Sequence, residues 1–172
     1  MKHLYIIGNG FDIHTGLATR YADFQLWLEN NYPFIYENMQ AVYDMDAEWW
    51  NDFEVQLGSL DINKFVSKFT PSAKPTNEII ARAKRKREFE ERYNIPPSLQ
   101  YCFEKWVDNC QKSITAPKYI HIEKEDSFFI NFNYTDVLEM LYKIPEERVL
   151  HIHGRSSKHE RLIYGHNAFL LG

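Results

Sequence analysis

Cysteine is scarce in this chain, long apolar runs are missing, and neither sign of charge dominates. Each shortage removes a class of protein. The only two cysteines, Cys102 and Cys110, lie eight residues apart, whereas a structural zinc site takes four Cys or His ligands from paired clusters. They read as reduced core thiols of a protein kept out of oxidising compartments. No apolar stretch approaches the roughly 20 residues needed to span a bilayer, and the N-terminus shows no basic-then-apolar leader. The expected location is therefore cytoplasmic, with no membrane partner. A net charge of −4 supplies no general attraction for nucleic acid. The basic run Arg82, Lys84, Arg85, Lys86, Arg87 is followed at once by Glu88, Glu90 and Glu91, which predicts a solvated helix laced with i,i+4 pairs, not a nucleic-acid patch. Repeats and low-complexity tracts are missing too.

What is present suits one domain spanning 1–172, since 172 residues with 44% hydrophobic and 16% aromatic content can build a core. Short apolar segments at Lys2–Ile7, Ser127–Phe132, Arg148–His153 and Arg161–Tyr164 predict strands of an α/β fold with a mainly parallel sheet. Between the first two, helical periodicity recurs at Tyr21–Asn30, Phe34–Asp44, Ala47–Leu57, Asp61–Phe69, Thr76–Tyr93 and Ser98–Ile114, with Pro96-Pro97 expected to break the chain. That predicts a large helical insertion after the first strand, a lobe at about 20–115, far longer than an ordinary crossover. A sheet of this kind normally has further strands, so the fold is expected to be C-terminally incomplete at Gly172.

Leu4-Tyr5-Ile6-Ile7-Gly8-Asn9-Gly10-Phe11-Asp12 is the most informative segment. It predicts a buried strand entering a glycine-flanked turn at the ligand crevice of the sheet. Gly8 and Gly10 can adopt positive φ and admit a phosphate close to the backbone. A helix after the turn would favour an anion there. The dinucleotide fingerprint G-x-G-x-x-G is incomplete, with Ile13 in place of its third glycine, and an ordinary strand-to-helix turn is the competing explanation. Two more strands end in polar groups, at Asn131-Phe132-Asn133-Tyr134-Thr135-Asp136 and at His151-Ile152-His153-Gly154. Strand ends of this kind share one edge of a parallel sheet, so Gly8, Gly10, Asp12, Asn133 and His153 are expected to line one pocket.

These motifs carry a resemblance. Ile7-Gly8-Asn9-Gly10-Phe11-Asp12 with Gly16-Leu17-Ala18-Thr19-x-Tyr21-x-Asp23-Phe24 resembles the opening of the abortive-infection AbiH family. So do Trp50-x-x-Phe53-Glu54-x-x-Leu57, Asn131-Phe132-Asn133-Tyr134-Thr135, His151-Ile152-His153-Gly154 and Tyr164-Gly165-His166. The resemblance covers most of the chain and implies a role in bacterial defence against phage. More distantly, the chain is similar to sirtuin-like Rossmann domains, which implies a Rossmann-like fold. Gly8, Asn9, Gly10 and Asp12 fall on their nucleotide loop, Asn131 to Thr135 on their Thr-Gln-Asn segment, and Ile152-His153-Gly154 on their Leu-His-Gly. That similarity implies NAD as the ligand, held by Gly8, Asn9, Gly10, Phe11, Asp12, Asn131, Tyr134 and Thr135. Asn133 and His153 would then be the catalytic pair at the nicotinamide ribose. No four-cysteine module follows His153, so protein deacylation is not expected, and Asp12 stands where the sirtuin-like loop has serine.

The chemistry suits those residue types. Cleaving the nicotinamide–ribose bond needs a held ribose, a placed water and a proton acceptor. Histidine accepts protons near neutral pH, and an asparagine amide orients water without adding charge. His151 falls on the opposite strand face from His153 and is expected to be structural, while His14, Glu54 and His166 are weaker candidates. Two rivals remain. A non-catalytic nucleotide sensor would use the turn for binding and the helical lobe for a protein partner or a second copy. A metal-dependent phosphoesterase would draw on Asp12, His14, His151, His153 and His166, but too few ligand motifs are present and no metal is expected.

Overall fold

The computed structural model describes residues 3–46, 48–57, 80, 95–114, 117–158, 160 and 162–163. Among them the chain runs β1 (His3–Ile7), α1 (Asn9–His14), α2 (Tyr21–Asn31), α3 (Pro33–Val42), α4 (Phe53–Gln56), α5 (Ile95–Lys112), β2 (Ser127–Asn131), α6 (Val137–Met140) and β3 (Val149–His151). Single 3-10 turns cover Glu146–Arg148 and Ser156–Lys158. The expected segments Asp61–Phe69 and Thr76–Tyr93 (Ile80 apart) and the ends of the expected strand Arg161–Tyr164 lie outside the described residues, as does the Tyr164-Gly165-His166 motif. Leu162 and Ile163, which are described, are not in a strand.

The three strands form one open, all-parallel sheet in the order β1-β2-β3. The register pairs Tyr5 with Phe129, Ile7 with Asn131, Phe129 with Val149 and Asn131 with His151. Side chains alternate faces along a strand, so these odd-numbered positions share one side of the sheet. Ile7, Ser127, Phe129 and Asn131 on that side are buried, and Tyr5 stacks on Phe129 at a centroid distance of 5.1 Å. The even-numbered side differs from the expectation of fully buried strands. Leu4 is 52% exposed, Ile6 71% and Leu150 59%, so among the described residues the burial lies on the odd-numbered side.

The chain divides into two compact units, Met1–Leu26 with Phe103–Tyr164, and Trp27–Cys102 with Gly165–Gly172. In the first, Phe103, Trp106, Val107 and Cys110 recur at helical spacing on α5 and are buried. Phe24 packs edge-on to Phe103 at 5.2 Å and meets Trp106 at 5.1 Å. The Cys110 thiol donates to the Ala18 carbonyl at 3.3 Å. Burial, aided by nearby Asp23 and Asp12, pushes this thiol up to about 12, so it is an inert core group. In the second unit Trp49, Trp50 and Phe53 stack on one another, with Tyr43 against Trp49 and Tyr36 against Trp50.

Two expectations about chain breaks are corrected. Pro96 and Pro97 do not precede the helix but sit in the first turn of α5, where a missing N–H has no intrahelical acceptor to lose. Gly8 and Gly10 do not use positive φ. Gly8 is extended at φ −127° and Gly10 lies inside α1. The glycines that need their freedom are Gly16 (φ +100°), which ends the turn after α1, and Gly154 (φ +80°), which follows His153.

Gly16→Ala should therefore lower stability by about 1–2 kcal/mol through backbone strain alone, since no atom lies near the added methyl. Urea denaturation checks this, and an unchanged midpoint would show that the loop relaxes into an ordinary conformation.

Candidate functional site

The turn after β1 and the turn after β2 are joined by one buried carboxylate. Asp12, 1% exposed, accepts from Asn133 Nδ2 at 2.7 Å through one oxygen and from Thr135 Oγ1 at 2.5 Å through the other. Asn133 Nδ2 gives its second hydrogen to the Gly8 carbonyl at 3.1 Å, so both amide hydrogens are committed within the chain. Asn131 shapes its own loop. Its Oδ1 accepts from the Asn133 N–H at 3.0 Å, and its Nδ2 donates to the Thr135 carbonyl at 3.3 Å. Thr15 closes the other end of α1 by donating to the Asp12 carbonyl at 2.7 Å.

Asp12 pairs with no cation among the described residues. Burial pushes its pKa up to about 6, against the opposing pull of the Thr135 and Asn133 hydrogen bonds.

Above this network the turn itself is open. A pocket of about 480 Å³ is lined by Ile6, Ile7, Gly8, Asn9, Gly10, Phe11, His14 and Ile120. A Cβ added at Gly8 or Gly10 would meet nothing within 4 Å. Asn9 is tied back to the following loop, donating from Nδ2 to the Thr19 carbonyl at 2.8 Å and accepting from Thr19 Oγ1 at 2.6 Å. Phe11 packs on Tyr142 at 5.1 Å.

The structure thus sorts the expected site residues into groups. Gly8, Asn9, Gly10 and Phe11 line the pocket. Asp12, Asn131, Asn133 and Thr135 lie buried behind the turn, engaged with one another. Tyr134 packs edge-on against Phe103 at 4.9 Å and against the His153 ring at 5.4 Å. His153 is half-buried and is not among the pocket's lining residues. Its Nδ1 lies 2.8 Å from the Ile163 carbonyl. A carbonyl only accepts, so Nδ1 carries the hydrogen, and in the neutral ring Nε2 keeps its lone pair.

A second polar cluster follows β3, and the sequence reading did not foresee it. Arg155, 8% exposed, donates from Nε to Asp136 at 2.8 Å, reaches Glu139 at 3.7 Å and pairs with Glu146 at 2.7 Å. Its burial works against the charge, but Asp136, Glu139 and Glu146 outweigh that and hold the guanidinium more firmly protonated. His151 Nε2 meets Glu139 at 2.7 Å, and Gln111 accepts from the Asp136 N–H at 2.8 Å. Asp136, Glu139 and His151 are close enough to share a metal ion. Arg155 already supplies the cation there, so the donor set suits a guanidinium. No sequence motif announced this cluster, because its members come from α6, the 3-10 turn at Glu146–Arg148, β3 and the loop after it.

A profile of the family described as bacteriophage abortive infection AbiH matches residues 4–169. The chain belongs to the AbiH family, an assignment that covers every motif above. No curated protein and no solved structure matches it. Among the described residues no helix is long and apolar enough to cross a membrane.

The buried carboxylate has a measurable consequence. Asp12 favours protonation more in the folded chain (about 6) than in the unfolded one (3.8). Its favourable contribution is complete below the unfolded value and is lost as pH rises through 6. Asp12→Asn can accept from Asn133 and donate to Thr135 without charge. Its stability relative to wild type should rise by about 1.4 kcal/mol between pH 5 and pH 8, most of it below pH 6.5. Urea denaturation across that range checks it, and a flat difference would mean that Asp12 ionises normally.

Proposed function

We propose that the protein acts in bacterial defence against phage by binding NAD at the Gly8–Phe11 turn and hydrolysing its nicotinamide–ribosyl bond. One observation carries the reading. The turn faces an open pocket of ligand size through two glycines that neither backbone conformation nor internal packing requires. A ligand brought against the backbone gives those missing Cβ atoms a purpose. Ile6, Ile7, Phe11 and Ile120 offer apolar walls to a planar base. None of the lining residues is Lys or Arg, so turn N–H groups would meet the phosphates. Such a lining suits the two singly charged phosphates of a dinucleotide better than a triphosphate. The parallel strands with polar C-terminal ends support a Rossmann-like frame, with the helices between β1 and β2 as its insertion.

In the hydrolysis, a water oxygen bonds to the ribosyl carbon as the carbon–nitrogen bond to nicotinamide breaks, and the bonding pair stays on the ring nitrogen. The water's proton passes to His153 Nε2, whose lone pair is free because Nδ1–H is held by the Ile163 carbonyl. Tyr134, packed perpendicular to the ring at 5.4 Å, limits its rotation.

A second reading, a nucleotide sensor without turnover, draws support from a different fact. His153 does not line the pocket, and the amide hydrogens of Asn133 are spent on Gly8 and Asp12. Binding would then lock the turn without chemistry.

Incubation with NAD, NADP and ATP, with and without divalent metal, separates the possibilities. Release of free nicotinamide supports hydrolysis. Unchanged NAD with measurable affinity supports the sensor, and metal-dependent phosphate release would replace both with a phosphoesterase. His153→Ala should reduce nicotinamide release by about a hundred- to ten-thousand-fold with the fold intact. Gly10→Ala should stabilise α1 by about 0.5–1 kcal/mol, as alanine does inside a helix, while weakening NAD binding measured by calorimetry. Unchanged affinity in that variant would remove the turn from the binding site.

A further inference from the structure

Among the described residues, one face of the sheet is apolar and largely exposed. The register aligns Leu4 with Phe128, Ile6 with Ile130 and Ile130 with Leu150, so all five share one side, and Phe132 and Ile152 continue it past the strand ends. Leu4, Ile6, Phe128, Phe132, Leu150 and Ile152 are between 39% and 71% exposed. Parallel sheets are almost always covered on both faces, and an apolar patch of this extent marks an interaction surface.

We infer that this face stacks against the same face of a second copy of the chain, with β2 at the twofold axis, and that the stacked copy forms a wall of the turn pocket. Two features favour a second copy over another occupant. The aligned positions carry no charged residue, so like meets like with no repulsion and no charge selects a different partner. Their exposures amount to roughly 600 Å² per copy, hence about 1,200 Å² for the pair, the lower bound for a specific interface. Two sheets stacked face to face would lie about 10 Å apart with their side chains interleaved.

The consequence for the pocket comes from Ile6. Its side chain belongs both to the bare face and to the pocket lining. A copy seated on the face must therefore abut the pocket on its Ile6 side, so that assembly encloses the space beside Gly8 and Gly10. The inference does not depend on which ligand occupies that space.

The test is molar mass by light scattering and sedimentation velocity on the full chain at roughly 50 µM, above the micromolar Kd appropriate to so small an interface. The expected result is a dimer. Leu150→Asp and Phe128→Asp, placed on the face but outside the pocket lining, should each shift the dissociation constant at least a hundredfold towards monomer. Val55→Asp, equally exposed on α4, should leave the dimer intact. Far-UV circular dichroism and thermal melts confirm that the variants fold, and the wild-type mass decides the matter if they do not. A monomeric wild type overturns the proposal, as do both face variants remaining dimeric. A monomer that floats with phosphatidylcholine–phosphatidylglycerol vesicles, and ceases to when Leu150 is Asp, also overturns it, by giving the face to lipid.

Discussion

The Asp12 carboxylate is the constraint on which the C-terminal edge of this sheet depends. Parallel strands are linked to one another only through their ladders, and the turns beyond the last ladder bond are free to splay. Here the turn after β1 and the turn after β2 are held together by Asn133 and Thr135 donating to opposite oxygens of one side chain, with Asn133 also clasping the Gly8 carbonyl. Removing the carboxylate would strand two buried donors at once, each left without a partner at about 1–3 kcal/mol. The arrangement also explains the order of residues in the second motif. Asn131 sets the loop, Asn133 points back to the first turn, Tyr134 points to His153, and Thr135 completes the grip.

The two polar clusters solve the problem of buried charge in opposite ways. Asp136 and Glu139 are neutralised by Arg155, so the loop after β3 is tied down by an ion pair. Asp12 has hydrogen bonds but no pairing cation among the described residues, and burial dominates its acidity. Hydrogen bonds to a carboxylate offset part of the desolvation, not all of it. A charge kept in that condition behind an open pocket is a poor choice for stability alone. The third strand end is therefore held by an ion pair, while the first is held by hydrogen bonds to a carboxylate whose pKa burial raises to about 6.

The sequence revealed the strands and their common polar ends because apolar runs of five residues bounded by Gly and Asn have few other readings. The parallel pairing of β1 with β2, across more than a hundred residues, followed from the same logic. What it did not reveal was which face each side chain would take and what would meet it there. Asp12 and Asn133 are the residue types of a polar ligand site, and composition cannot distinguish a carboxylate aimed at a ribose from one aimed at a threonine 123 positions away. The Arg155 cluster was invisible for a related reason, since Asp136 and Glu139 at the start of α6, Glu146 in a 3-10 turn and Arg155 after β3 form no shared motif. The prolines of α5 misled because Pro-Pro breaks a helix only from its interior, and the first turn tolerates both.

The sheet presents two unlike faces, and the difference bears on how a site at its edge could be controlled. On the odd-numbered side, Phe129, Asn131 and their neighbours are buried, which fixes the geometry of the turns. On the even-numbered side, Leu4, Ile6, Phe128 and Leu150 meet water. Water against that side disfavours the isolated sheet, by about 25 cal/mol for each Å² of apolar surface that could be buried. Whatever removes the water gains that energy and, through Ile6, alters the pocket at the same time. Covering the face and enclosing the ligand are then linked equilibria. If the enclosed pocket holds its ligand more tightly, then by reciprocity ligand in the pocket strengthens whatever covers the face.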